Sequence, residues 1–412
     1  MKIGMLTQWY DPETGPASLP AVYAREFVSQ GHQVRVLTGF PNYPEGKLYE
    51  GFRMRPRSFE SHGEARVTRV ALYPNHSSSA LGRMANYGSF SLSASTLGAF
   101  SLRDSDAMWV YNSPVTVALP MLLHSRFGHK PVFLHVQDLW PDSLIESGMF
   151  PGGKLGSAAS SVVSALVRLM EKRAAVVGVI SRSVRDLILE RNPGLDPEKV
   201  IYVPNPTNES LFRPVSELLE GTTLGARSST HFMYAGAIGN VQGLDTLLDA
   251  AKAMLPLRDI SISLVGDGIA RARLEERVRD EGIRNVSFLG RLPQSDIPRT
   301  MAKADVQLVS LAANPFLAYT TPSKISALLA SEMPILAQLA GDGARLLTDS
   351  GAAFVTEPGS VEELVHGLCD FADLGQAERT EMGKRGGDYY RKNLSASAAA
   401  TAIVDSLNRH LQ

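Results

Sequence analysis

The residues best suited to chemistry in this chain are a set of glycine turns and one lysine. Tyr234-Ala-Gly236-Ala-Ile-Gly239-Asn240-Val-Gln242-Gly243 follows directly on a short β-rich run. Glycines in such a loop let backbone amides come close to a diphosphate. Gly266-Asp267-Gly268 and Gly290-Arg291-Leu-Pro293 close two further β-rich runs in the same way. Three glycine turns at successive strand ends point to a nucleotide pocket, with plain turn chemistry as the competing reading. The spacing is not that of the dinucleotide fingerprint, so hydride transfer gains little support. Thr320-Thr-Pro322-Ser323-Lys324 opens an apolar helical stretch that Ser323 can cap. A cation in a first turn opposes the helix dipole unless an anion lies beside it. Lys324 is therefore read as a phosphate ligand in preference to a solvated surface lysine.

The first half offers a thinner set. After the first β-rich run, Gly15-Pro16-Ala-Ser18 opens a helix whose free amides could face a phosphate, with Ser18 as the N-cap. A simple strand–helix connection reads equally well there. Asp138, at a strand end and followed by Leu-Trp140-Pro, can accept a proton or orient an acceptor hydroxyl; capping the next segment is its plainer role. His135, on the same strand, reads as a core histidine. Asp104-Ser-Asp106 has the form of a metal-binding pair but precedes its strand, which puts it at the wrong sheet edge. Metal-ligand spacing of His and Cys occurs nowhere, and no metal is expected.

The elements that must position these residues alternate strand and helix. Strand-like runs fall at 3–7, 34–38, 67–71, 108–111, 132–136, 176–180 and 200–203, with helical patterns at 19–30 and 115–127. The scheme repeats with strands at 232–235, 260–265, 286–289, 306–310, 335–338 and 353–355. Helical patterns at 243–254, 269–281, 296–304, 323–331 and 361–372 alternate with those strands. Nearly continuous apolar strands joined by helices indicate parallel sheets covered on both faces. The small, polar stretch 214–230 reads as a link between two doubly wound domains, with the ligand cleft at the carboxyl ends of their strands.

Composition sets the outer limits. The 412 residues suit two domains, and 44% apolar with 20% charged residues is ordinary for a globular protein. A net charge of −1 gives no field favouring nucleic acid, and no nucleic-acid partner is expected. No run is apolar enough to span a bilayer and no signal peptide is evident. The single cysteine, Cys369, fits a reducing compartment and core packing, so a cytoplasmic location is expected. Arg53, Arg55, Arg57, Arg66, Arg69 and Arg83 crowd the segment before a helical stretch in which Tyr87, Phe90, Ala94 and Leu97 share one face. These residues suggest a peripheral surface for anionic lipid or a polyprenyl-diphosphate acceptor, with a core-facing stripe and scattered surface arginines as the equal alternative.

In this order, the motifs resemble the retaining GT-B glycosyltransferases of family 4. The nearest likeness is to bacterial transferases that add amino-deoxy sugars of the N-acetylfucosamine type to lipid-linked glycans. It is carried by Asp11-Pro-Glu-Thr-Gly15, Pro41-Asn42-Tyr43-Pro-Glu-Gly-Lys47, Val136-Gln137-Asp138-Leu-Trp140-Pro-Asp-Ser143 and Val203-Pro-Asn205. Gly239-Asn-Val-Gln-Gly-Leu244 and Pro322-Ser-Lys324 continue it. The resemblance implies an α/β GT-B architecture of two Rossmann-like domains. Residues 1–208 would bind the acceptor, with 389–412 packing back on them, and residues 209–388 would bind the nucleotide sugar. It implies retaining transfer from a UDP-linked sugar to a glycan or polyprenyl-linked acceptor in surface polysaccharide synthesis, at the inner face of the membrane and with no cofactor. Asp138 and Lys324 would be catalytic. Gly15, Pro16, Asn205, Gly236, Gly239, Asn240, Gln242, Gly266, Asp267, Arg291, Tyr319, Pro322 and Ser323 would hold the donor, and Asn42, Tyr43, Gln137 and Trp140 the acceptor.

The chain also departs from that pattern. The family's phosphate-clamping Arg and Lys fall on Ala237 and Gln242, and its pair of glutamates on Tyr319 and Ala327. Its Gly-Lys before a proline becomes Glu332-Met333, and a frequent histidine becomes Gln137. Two rival functions remain at this stage: a UDP-sugar 2-epimerase of similar architecture, and a nucleotide-binding subunit with weak or no catalysis.

Overall fold

The computed structural model describes residues 1–76, 79–126, 129–140, 154–221 and 229–411. The chain divides into two compact units, Met1–Pro204 with Ala399–Gln412, and Asn205–Ala398.

The first unit is built on eight strands: β1 (Lys2–Leu6), β2 (Gln33–Gly39), β3 (Arg57–His62), β4 (Ala65–Val70), β5 (Ala107–Tyr111), β6 (Val132–Val136), β7 (Val176–Val179) and β8 (Val200–Tyr202). They lie in the order β3-β4-β2-β1-β5-β6-β7-β8. All neighbours are parallel except β3, which pairs antiparallel with β4 and closes one edge. β5, β6 and β7 are buried along their whole length, as strands covered on both faces must be. β3 has no counterpart among the strands expected from sequence, because Arg-Ser-Phe-Glu-Ser-His lacks an apolar run; it is a polar edge strand.

Helices cover the sheet. α1 (Leu19–Ser29) lies on one face, where Tyr23, Ala24 and Phe27 join Ile3, Met5 and Trp109 in a core. α2 (Ala80–Thr96), α3 (Ala118–Arg126), α4 (Lys154–Arg173) and α5 (Arg182–Arg191) lie on the other. Phe90 and Ala94 of α2 are fully buried there against Leu37 and Met121, so the middle of the stripe offered for lipid faces the core, while Tyr87 is half-buried and Leu97 exposed at its ends. Arg69 also leaves the lipid-facing set. It is buried on β4, where its Nε donates to both carboxylate oxygens of Glu60 at 2.9 and 3.0 Å. Its terminal nitrogens donate to the carbonyls of Gly39 and Asp11. Four separate segments meet at that side chain, since the guanidinium also lies over the Phe52 ring.

The second unit holds β9 (Thr230–Ala235), β10 (Ile260–Val265), β11 (Val286–Gly290), β12 (Val306–Ser310), β13 (Ile335–Gln338) and β14 (Ala353–Thr356), all parallel, in the order β11-β10-β9-β12-β13-β14. Counted from its first strand this is the 3-2-1-4-5-6 order of the doubly wound fold, and its direction reverses between β9 and β12. The longer helices are α6 (Leu244–Met254), α7 (Arg271–Asp280), α8 (Lys324–Ala330), α9 (Gly341–Ser350), α10 (Val361–Asp373) and α11 (Gln376–Asn393). α12 (Ala396–Asn408) ends the chain, and its Ala400, Ile403 and Leu407 are fully buried in the first unit's core with Ile3 and Tyr23. In the polar link, Val215–Leu218 forms a helical turn anchored by Val215 N–H on the Ser331 carbonyl at 3.0 Å, and 222–228 lie outside the described residues.

Two expected caps are absent. Ser18 is itself helical, because a 3-10 turn at Gly15–Ser18 precedes α1, and its hydroxyl donates back to the Gly15 carbonyl at 2.8 Å. Ser323 is likewise in helical conformation, without a capping bond. Capping serines are found at Ser181 and Ser360, each in extended conformation and each accepting an amide from the first turn.

Candidate functional site

The reversal between β9 and β12 is where a doubly wound sheet opens a crevice at its carboxyl edge. The loop after β9 contributes 236–243, and the chain beyond β12 returns to that edge through 320–324 before α8. Lys324 and Gly236 meet there. A Cβ on Gly236 would lie 2.7 Å from Lys324 Nζ, so the glycine leaves the amine its room. The same Nζ sits 3.7 Å from the ring centroid of Tyr234, whose hydroxyl donates to the Ala237 carbonyl at 2.7 Å. The amine is shut away from solvent and has no hydrogen-bond partner among the described residues. Burial brings its pKa down to about 7. A cation in that state is poised for an anion, because an opposite charge both pairs it and restores its proton. The surface-lysine reading does not hold.

The glycine turns are packed against one another as well as against this amine. Gly236 N–H donates to the Val265 carbonyl at 2.9 Å and Gly266 N–H to the Gly290 carbonyl at 2.8 Å. A Cβ on Gly266 would stand 1.8 Å from the Gly236 oxygen, and one on Gly268 2.4 Å from that of Ile238. These two glycines are required by neighbouring backbone, so the turn-chemistry reading explains them. At Gly239, the amide offered for phosphate is already engaged: it donates to Gln242 Oε1 at 3.0 Å. Gln242, where the resemblance places a lysine, thus caps its own loop. The Gln242 carbonyl accepts from Ser310 Oγ, and Gln338 Nε2 ties Ser310 Oγ and the Gly243 carbonyl together at 2.7 and 3.1 Å.

The other donor candidates of this unit are spread around that edge. Asn205 joins α8 through its carbonyl, which accepts from Ser326 Oγ at 3.1 Å. Pro322 is half-buried, and Asn240, Asp267, Arg291 and Ser323 are exposed. Asp267 Oδ1 accepts the amide of Gly268 at 2.9 Å. Tyr319 is 44% exposed, whereas Ala327 is buried, so the two positions of the missing glutamate pair lie in unlike surroundings.

At the carboxyl edge of the first sheet, Gly15 (φ +66°) and Pro16 are exposed, with open space where a Gly15 Cβ would be. Asn42 and Tyr43 are held by a residue that sequence reasoning missed, Glu13. One of its oxygens accepts the amides of Asn42 and Tyr43 at 2.8 and 2.9 Å, and the other that of Tyr10 at 3.1 Å. Glu13 is buried, and burial pushes its pKa up to about 7 in spite of three amide donors. Asn42 continues into a polar chain in which Asn86 donates to its side chain and accepts from Gln8, at 3.0 and 2.6 Å. Tyr43 lies against Trp9, tilted at 48°, and edge-on to His76, with ring centroids 5.5 and 4.7 Å away. Asp138 accepts from Ser113 Oγ at 2.8 Å, and burial raises its pKa. Trp140 is buried, its indole donating to the Asn112 carbonyl at 3.3 Å, and Gln137 is half-buried. His135 is the core histidine expected: fully buried, edge-on to Tyr23, Trp109 and Phe133, and bonded through Nε2 to the Val203 carbonyl. Asp106 accepts the Lys2 amide and Asp104 pairs with Arg35, at the opposite edge. Among the described residues, no group of three His, Cys, Asp or Glu could hold a metal ion.

Two successive doubly wound units place the protein in the GT-B class. Its fold is shared with Anabaena Alr3699/HepE solved with UDP (16% identity, 99% of this chain and 100% of that one, TM-score 0.66). The same holds for an Escherichia coli trehalose-6-phosphate protein bound with UDP-2-fluoro glucose (12% identity, 99% of both chains, TM-score 0.67). The Glycosyl transferase 4-like domain profile matches residues 14–206 and that of Glycosyl transferases group 1 matches 229–373. WcaI of Escherichia coli (strain K12), provisionally named as a colanic acid biosynthesis glycosyl transferase, is 30% identical over 89% of this chain and 91% of its own. WbjE of Pseudomonas aeruginosa, also provisionally named as a glycosyltransferase, is 23% identical over 69% and 72%. The chain belongs to the group 1 glycosyltransferase family and is a glycosyltransferase.

Proposed function

We propose that this glycosyltransferase takes its sugar from a UDP-linked donor held by the second unit and passes it, with retention, to a glycan or lipid-linked acceptor. Assembly of surface polysaccharide, at the inner face of the membrane, is the setting we propose for it. The observation that carries the donor assignment is the buried, unpartnered amine of Lys324 facing Gly236 at the sheet's reversal. A diphosphate is the ligand that such an amine lacks, and the UDP complexes of proteins sharing the fold support the choice of base.

In the reaction, the bond between the anomeric carbon and the diphosphate oxygen breaks as the acceptor oxygen bonds to that carbon. The acceptor's proton passes to the departing diphosphate. Lys324 stabilises the charge gathering on the phosphate oxygens, a role best filled by a preorganised cation shielded from water. In the first unit, Asp138 and Ser113 orient the acceptor hydroxyl while Tyr43, fixed by Glu13, and Trp9 offer aromatic faces to a sugar ring.

The test is a thermal-shift panel of UDP, GDP, dTDP and their sugar conjugates. UDP and one or more UDP-sugars are expected to raise the melting temperature, and Lys324→Ala to abolish the shift. No response to any nucleotide would sink the reading. UDP binding without sugar transfer to any lipid-linked acceptor fraction would favour a non-catalytic subunit, to which the absent glutamates at Tyr319 and Ala327 lend themselves. Interconversion of UDP-sugars without an acceptor would favour an epimerase.

A further inference from the structure

The outer side of the helix layer on the first unit carries an apolar surface that the transfer reaction does not use. α2, α3 and α4 pack side by side and send Phe90, Met121 and Met170 into one core. On the side away from that core, Leu81, Met84 and Leu92 of α2 recur at helical spacing; Leu81 is 78% exposed and Leu92 62%. Leu119 and Leu123, one turn apart on α3, and Leu169 of α4 continue the exposed apolar surface. Single exposed leucines are ordinary, but large apolar side chains on three adjoining helices mark a contact surface.

The exposed charges on these three helices are of one sign. Glu171, the one acidic residue within the three helices, is buried and accepts from Asn192 at 2.7 Å. Every exposed charged side chain described on these helices is basic: Arg126 on α3, and Arg168, Lys172 and Arg173 on α4. Apolar side chains on α2 and α3 beside the bases of α3 and α4 suit the headgroup region of an anionic bilayer, where the former enter the acyl boundary and the latter meet phosphates. A second copy of the chain is a poor partner, because a two-fold contact would set these cations against themselves.

We propose that the α2–α3–α4 face docks on an anionic lipid bilayer. This deepens the reading above, in which the acceptor is lipid-linked, by naming the surface that brings the enzyme to it. It also replaces the sequence-derived stripe of Tyr87, Phe90, Ala94 and Leu97 with the opposite side of the same helix.

The experiment is co-sedimentation of the full chain with phosphatidylcholine vesicles, with and without phosphatidylglycerol. The variants are Leu119→Ser with Leu123→Ser, and Arg168→Gln with Lys172→Gln. The wild type is expected to bind the anionic vesicles, more weakly as salt rises, and each double variant to bind at least about tenfold less. Unchanged melting temperatures show that the variants are folded. Failure of the wild type to sediment, or equal binding by folded variants, would overturn the proposal. So would a concentration-dependent dimer that Leu119→Ser with Leu123→Ser dissolves. The UDP thermal shift is read on the same samples: its loss beside intact vesicle binding counts against the donor reading alone.

Discussion

Lys324 shows how one side chain can couple folding, pH and ligand. Its amine lies in a dry place between the Tyr234 ring and the space left by Gly236, with a pKa of about 7. An unfolded chain keeps a lysine proton to about pH 10.4. Between these values the unfolded state binds more protons than the folded one, so this group makes stability rise with pH across that window. Below about pH 7 both states are charged and the fold bears the full desolvation. Lys324→Met is therefore expected to be more stable than wild type at low pH, by on the order of a few kcal/mol, with the gain fading toward pH 10. Urea melts at several pH values check this; a constant difference would mean that the amine stays hydrated. A bound diphosphate reverses the balance by recharging the amine. UDP binding above pH 7 is then expected to take up a proton and to weaken as pH rises, which calorimetry in buffers of different ionisation enthalpy reads directly. Glu13 is a second residue of this kind. Glutamine has one acceptor oxygen and sets an NH₂ against at least one of the amides of Asn42, Tyr43 and Tyr10. Glu13→Gln is expected to lose about 1–3 kcal/mol in a denaturant titration, with a raised KM for the acceptor.

The glycine turns make their argument at the scale of whole elements, because each is shaped by the strand end beside it. Gly266 carries φ +139°, and its missing Cβ would collide with the Gly236 carbonyl at 1.8 Å. Gly266→Ala is expected to cost at least about 2 kcal/mol and to displace the Gly236 loop from Lys324, weakening UDP. Gly282→Ala is the control: φ is +64° but a Cβ there meets open space, so only the backbone strain of about 1 kcal/mol is expected and UDP binding stays. Equal effects of the two on stability and UDP would show that contact between the turns is immaterial. Elements also mark where reading from sequence succeeds. Strands β5, β6, β9, β10 and β12 were legible because burial on both faces leaves near-continuous apolar runs, and the glycine turns because they end such runs. β3 was not, since an edge strand has no such pattern to show. The caps at Ser18 and Ser323 are absent because both residues have helical backbone angles, Ser18 at the end of a 3-10 turn, and residue type does not fix those angles. Contacts over long separations were the least legible. Glu13 is buried by 42–43, and Arg69 by segments near 11, 39 and 60.

At the scale of the molecule, the chain leaves its first unit at Pro204 and returns to it at Ala399, so that unit's core is completed only by the last residues. Ala400, Ile403 and Leu407 are fully buried against a core containing Ile3, Tyr23 and Trp109. Ile403→Ala should cost about 2–4 kcal/mol, since a buried aliphatic side chain is lost and its cavity remains. The protein offers a way to see where that loss falls. Its three tryptophans, Trp9, Trp109 and Trp140, all belong to the first unit, so selectively excited tryptophan fluorescence follows that unit's unfolding. Far-ultraviolet circular dichroism follows both, and a chain of two units has no obligation to melt in one step. Ile403→Ala is expected to lower the fluorescence-detected transition, and UDP to raise the component that fluorescence does not report. If the substitution leaves the fluorescence transition in place, the terminal helix is not part of the first unit's core. If UDP instead moves both transitions together, the two units unfold as one.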